Sequence, residues 1–127
     1  MTREEFEKII AEEFLAVPEK FRRRMKNVVF LVEDEPLPET RKEEGLSDEE
    51  TLFGLYTGVP ATERGNFYGM GPTMPDTITI FKRPIEEESD GDEEEIRRYV
   101  RETVFHEVAH YLGMDEEEVA SWEMKNK

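Results

Sequence analysis

The chain has 127 residues, 36% of them hydrophobic and 39% charged, with 32 acids against 17 bases, two histidines and no cysteine. That length fits one domain over 1–127 with a modest core, and the missing cysteines exclude disulfide frameworks, thiolate-held metals and a thiol nucleophile. A formal net charge of −15 repels phosphate backbones and anionic membranes, so neither nucleic acid nor membrane is an expected partner and cations are the natural counter-charge.

In chain order, Thr2 and Glu5 have capping-box spacing, and Phe6, Ile9, Ile10 and Phe14 recur at helical intervals, which predicts an amphipathic helix ending before Pro18. A short helix from Glu19 to Met25, with Pro18 at its first position, precedes Val28 to Val32, a continuous apolar run that reads as a fully buried strand. Residues 33–50 are acidic, proline-bearing and aperiodic, as in a loop. Leu52 to Thr57 reads as a second strand closing in a turn at Gly58-Val59-Pro60, followed by irregular chain through Gly71. Thr77 to Phe81 alternate polar and apolar residues, as a strand with one wet face does. EEESDGDEEE at 86–95 holds eight acids in ten positions. Its spacing does not fit a calcium-binding EF-hand loop, whereas Ser89 or Asp90 can cap a helix whose first turn holds Asp92, Glu93 and Glu94. The opening residues carry no signal-peptide core, and no apolar run is long enough to span a bilayer, so a soluble cytoplasmic protein is expected.

The helix from about Asp92 to Leu112 contains both histidines of the chain, in His106-Glu107-Val108-Ala109-His110. Residues four apart on an α-helix differ by about 40° around the axis, so two imidazoles can converge on one ion. Zinc fits that bite. It takes imidazole nitrogens, needs a third protein ligand in catalytic sites and leaves its fourth position to water, whose pKa it lowers. Glu107 can then take a proton as general base and pass it to a leaving amine. On a helical wheel His106, Glu107 and His110 share an arc with Ile96, Tyr99, Val100, Thr103 and Val104, while Arg97, Arg98, Arg101 and Glu102 lie opposite. The metal group is therefore expected on the inward face, where an unpaired anion is costly and a cation relieves it.

Gly113 can end this helix in a left-handed conformation. In the pattern HExxHxxGxx(H/D/E) the last position is Glu116, the expected third ligand, with Asp115 its main competitor. A final helix from about Asp115 to Met124 would pack through Val119 and Trp122.

The segments FHEVAHYLGMDEEEV at 105–119, GLYTGVPATERG at 54–65 and PDTITIFKRPI at 75–85 resemble the small bacterial zincin-like metallopeptidases. The resemblance implies an α+β fold with a short sheet of three to four strands on the HExxH helix, flanked by N-terminal and C-terminal helices. It also implies zinc held by His106, His110 and an acid after Gly113, with Glu107 as base. Two departures from the larger metzincins stand out: the third ligand is acidic, and no methionine turn follows, since Met124 falls in the last helix. An acidic ligand lowers the positive charge at the site and weakens water activation, so slow or absent peptidase activity is expected.

Zincins align a peptide on an exposed strand beside the active helix, and Thr77 to Phe81 is the candidate, its alternative being an internal strand. Arg64 could bind a carboxylate or steady an oxyanion, and Tyr111 could donate to the tetrahedral intermediate or serve as core. The expected substrate is a peptide or unfolded polypeptide, and the expected assembly a monomer or weak oligomer. Two rival readings are a metal-binding but catalytically inactive interaction module and a hydrolase of other amides or esters.

Overall fold

The computed structural model describes residues 1–46, 52–58, 76–114 and 117. Its elements run α1 (Arg3–Phe14), α2 (Glu19–Arg22), β1 (Val28–Glu33), α3 (Pro38–Glu43), β2 (Gly54–Thr57), β3 (Asp76–Phe81), α4 (Lys82–Glu88) and α5 (Glu93–Tyr111). This is the small α+β arrangement anticipated. The expected last helix, with Asp115, Glu116 and Trp122, and the loop bearing Arg64 lie outside the described residues.

Helix α1 starts where the capping box places it. The Glu5 amide donates to Thr2 Oγ1 and the Thr2 amide donates to Glu5 Oε1, both at 3.1 Å, so two otherwise orphaned donors are satisfied. Phe6, Ile9 and Ile10 turn inward. Pro18 precedes α2 as its cap, and the helix is shorter than expected, ending at Arg22.

The sheet has the order β1-β3-β2, with β1 parallel and β2 antiparallel to β3. This order corrects two expectations. β1 is not fully buried: among the described residues it is an edge strand, and Val29 and Leu31 are 40% and 44% exposed. Nor does β3 have a wet face. As the central strand it buries Ile78 and Ile80 on one side and Thr79 and Phe81 on the other, because a strand flanked on both edges has neighbours' side chains beside it on both faces, and a threonine is small enough to be enclosed among them. A third correction concerns 33–50, where Pro38 at a first-turn position opens α3 within the expected loop.

After β3 the chain turns directly into α4, with Pro84 in the first turn, where its missing N–H costs nothing. The acidic run is thus split. Glu86 to Glu88 close α4, Asp90 and Gly91 take positive φ of 54° and 76° in the turn, and α5 is preceded by Asp92. Neither Ser89 nor Asp90 caps α5: Ser89 is buried and donates through Oγ to the Glu86 carbonyl at 3.1 Å. Glu93, Glu94 and Glu95 occupy the first turn of α5, where the helix dipole favours anions.

Helix α5 packs against α1, β2 and β3. Its Ile96, Val100, Val104 and Val108 are fully buried with Phe6, Ile78 and Ile85, and each large apolar side chain so enclosed contributes about 1.5–3 kcal/mol. Polar contacts also tie the helix pair, Arg97 Nη2 reaching Glu12 Oε1 at 3.3 Å. Glu13 on α1 is buried, and its carboxylate accepts from Arg101 Nε at 2.7 Å and Arg97 Nη1 at 3.3 Å. None of the helices among the described residues is long and apolar enough to cross a membrane.

Candidate metal centre

The inward stripe of α5 carries the metal group, as the wheel required. Glu107 is buried, at 6% exposure, between Val104 and Val108, which are closed to solvent; His106 and His110 are half-buried. The two imidazole rings lie 4.6 Å apart between centroids, at 64°. Potential ligand atoms of His106, Glu107 and His110 all fall within 4.8 Å of one another, and Glu107 Oε1 stands 3.5 Å from His110 Nδ1.

Two imidazole nitrogens and a carboxylate, held at one apolar face, form a donor set that suits zinc. A buried carboxylate costs several kcal/mol without a counter-charge, and a divalent ion beside it removes that cost. The residues present therefore fit the metal.

Helix α5 ends at Gly113, whose φ is 82°. The Gly113 amide donates to the His110 carbonyl and the Met114 amide to the Ala109 carbonyl, both at 3.0 Å, which is the paired closure of a Schellman motif. The chain thus leaves the helix one turn beyond His110, as the glycine predicted. Tyr111 is committed elsewhere. It is buried, its hydroxyl lies 3.2 Å from the Arg24 carbonyl and 3.3 Å from the Lys26 carbonyl, and its ring meets Tyr56 edge-on at 6.0 Å. It belongs to the core and anchors the chain before β1, so the oxyanion role does not fit it.

Beside the metal group a cavity of about 470 Å³ opens between α5 and the start of β2, with Phe53, Tyr99, Thr103, His106 and Glu107 in its wall. Phe53 and Tyr99 stack at 5.4 Å, tilted by 50°, and the Arg98 guanidinium lies 4.6 Å over the Tyr99 ring. Arg98 is held as a permanent cation by its hydrogen bond to Glu95, 2.6 Å away, which raises its pKa further.

Gly54 is a residue of this site that the sequence did not single out. A Cβ placed there would sit 2.5 Å from Thr103 Cγ2, 3.2 Å from the Thr79 carbonyl oxygen and 3.4 Å from Glu107 Cγ. Glycine therefore lets β2 close directly on the turn of α5 that carries Glu107. Only the three-dimensional approach reveals this, since a glycine opening a strand is otherwise read as turn chemistry.

An α+β fold with a HExxH helix laid on a short sheet defines a zincin-like protein. Residues 25–125 match the family model described as zincin-like metallopeptidase, and the chain belongs to that family. A solved structure of a conserved hypothetical protein from T. thermophilus is similar at 26% identity with a TM-score of 0.56, covering 88% of this chain and 94% of that one. No curated protein matches.

Proposed function

We propose that the protein is a zinc-dependent hydrolase of peptide bonds, with His106 and His110 as two zinc ligands, Glu116 as the third and Glu107 as general base. The observation that carries this reading is the convergence of the two imidazoles and the buried Glu107 carboxylate on one inward face of α5, open to an apolar cavity.

Zinc, when bound, supplies Lewis acidity and offsets the negative charge of the site. The chain's own residues do the rest. Glu107 accepts a proton from the attacking water as the oxygen–carbon bond forms, then delivers it to the amine nitrogen as the carbon–nitrogen bond breaks. Its burial among apolar side chains keeps bulk water from competing for that proton. β2 lies beside α5, and among the described residues its outer edge has no neighbouring strand. The substrate-aligning role considered for Thr77 to Phe81 therefore passes to Gly54–Thr57, which can hydrogen-bond an extended peptide through its main chain.

The test is metal analysis of the purified chain together with hydrolysis of an unstructured peptide mixture. Stoichiometric zinc, cleavage abolished by chelation and restored by zinc, and a metal-replete but inactive Glu107→Gln variant are expected. Zinc retained with no cleavage of any peptide would leave a metal-binding module in place of an enzyme, and absence of metal after reconstitution would remove both readings.

A further inference from the structure

The outer edge of β1 carries a pattern that the metal centre does not use. The Asn27 carbonyl accepts from the Asp76 amide at 2.9 Å, so the peptide groups of Asn27, Val29 and Leu31 face β3. Those of Val28, Phe30 and Val32 face outward, where among the described residues no strand meets them. The Val32 carbonyl takes a hydrogen bond from the exposed Arg3 guanidinium, which shields one position of an otherwise open edge.

Charge around this strand is arranged in opposite blocks. Arg22, Arg23, Arg24 and Lys26 precede it, and Glu33, Asp34 and Glu35 follow it, with no charge from Asn27 to Val32. We propose that this edge is a homodimer interface, in which β1 of a second copy pairs antiparallel about a twofold axis at Phe30 and joins the two sheets into one of six strands.

Register decides the case. Centred on Phe30, the pairing sets Val28 opposite Val32 and Val29 opposite Leu31 within β1, and beyond the strand ends, where Asn27 turns the chain with a φ of 62°, it brings the basic block of each copy, Lys26 nearest, towards the acidic block of the other, which includes Asp34. Every outward-facing peptide group then meets an outward-facing partner. A shift of one residue points bonding groups away from each other, and a shift of two sets Val29 against Glu33 or Leu31 against Asn27. A parallel arrangement places the basic blocks side by side. The second copy is therefore the occupant whose charge and apolar pattern complement this edge at both ends, in the self-complementary way a twofold interface requires. Arg3 leaves the Val32 carbonyl when the strands pair, exchanging one hydrogen bond for another. The exposed Val29 and Leu31 side chains cover one another across the new ladder.

Sedimentation velocity of the full chain at physiological salt, from about 5 to about 500 µM, tests the proposal. A reversible monomer–dimer equilibrium is expected. Leu31→Lys abolishes the dimer, and Lys26→Glu or Asp34→Lys each weakens it about tenfold by replacing two attractions with two repulsions. The double variant Lys26→Glu/Asp34→Lys returns to within about twofold of the parent. All three positions are exposed, so circular dichroism of the variants, and their thermal melts at concentrations where the parent is monomeric, should match the parent's. A chain that stays monomeric throughout, a dimer indifferent to Leu31→Lys, or a double variant that fails to recover would each overturn the assignment. So would a monomeric chain that captures a foreign extended peptide on β1 instead.

Discussion

Replacing Gly54 by alanine tests how the site is built, because it adds one methyl group where strand and helix come closest. The new carbon would lie 2.5 Å from Thr103 Cγ2, against an optimum of about 3.5–4.0 Å, so β2 and α5 must separate locally by about 1 Å. Neither neighbour can yield cheaply. Thr103 is buried and β-branched, and the second contact, 3.2 Å away, is the Thr79 backbone carbonyl of the central strand. Overpacking of this kind costs about 1–3 kcal/mol, which urea unfolding of the zinc-loaded protein would read directly. Glu107 is the third contact, so the residue proposed as general base moves with the helix, and in the proposed hydrolase a misplacement near 1 Å would lower kcat/KM by about 10²-fold. Neither histidine is among the closest contacts, so zinc content should stay stoichiometric. Thr103→Ser deletes the obstructing methyl and should restore stability and turnover together in the double variant. Full stability in Gly54→Ala, or no recovery with Thr103→Ser, would refute the close-approach argument whether or not peptide cleavage is the activity.

Glu107→Gln should keep its zinc while hydrolysis falls by about 10²–10⁴-fold; metal loss in that variant would make Glu107 a ligand and not the base. Glu13→Ala should lose about 1 kcal/mol in urea unfolding, because it removes the buried carboxylate that bridges Arg101 and Arg97, while Arg97 keeps Glu12 and the half-exposed Arg101 turns to water. Arg98→Ala, whose partners Glu95 and Glu102 are both half-exposed, should change stability by no more than about 0.5 kcal/mol. Glu5 is held below the usual carboxylate range by the hydrogen bond from the Thr2 backbone amide. Because its folded pKa is the lower one, its contribution is complete above the unfolded value of 4.5 and is lost as pH falls through the folded value. A side-chain NMR titration should show that depression, and Pro in place of Thr2, which has no amide proton, should erase it.

The parts of the fold that were legible in the sequence are those decided within a few residues. The α1 cap depends on Thr2 and Glu5 alone, the inward stripe of α5 on a single periodicity, and its end on Gly113. What was not legible depends on partners distant in sequence. An apolar run such as Val28 to Val32 is equally consistent with a central strand and with an edge strand, and the choice is made by which strand reaches each side. Thr77 and Thr79 suggested water on one face of β3, yet Thr79 is buried because β1 and β2 flank that strand. Helix α4 was hidden by Pro84, a residue that reads as a stop but is tolerated in a first turn.

The metal centre divides in the same way. Spacing alone brought His106, Glu107 and His110 together, but what holds their turn in place comes from three separate elements. Toward its N-terminal half, α5 is tied to α1 through Glu13; in the middle, Gly54 brings β2 against Thr103 and Glu107; at its end, the Tyr111 hydroxyl contacts the carbonyls just before β1. A helix restrained at three points along its length cannot roll without breaking a polar contact or opening the core. The backbone positions of His106 and His110 are therefore fixed relative to the sheet by these contacts, which lowers the ordering cost of holding an ion between them. The last of those restraints also touches the entry to β1. The strand edge assigned to a second copy and the helix assigned to zinc thus share one anchor, the contact between Tyr111 at the end of α5 and the carbonyls of Arg24 and Lys26 just before β1.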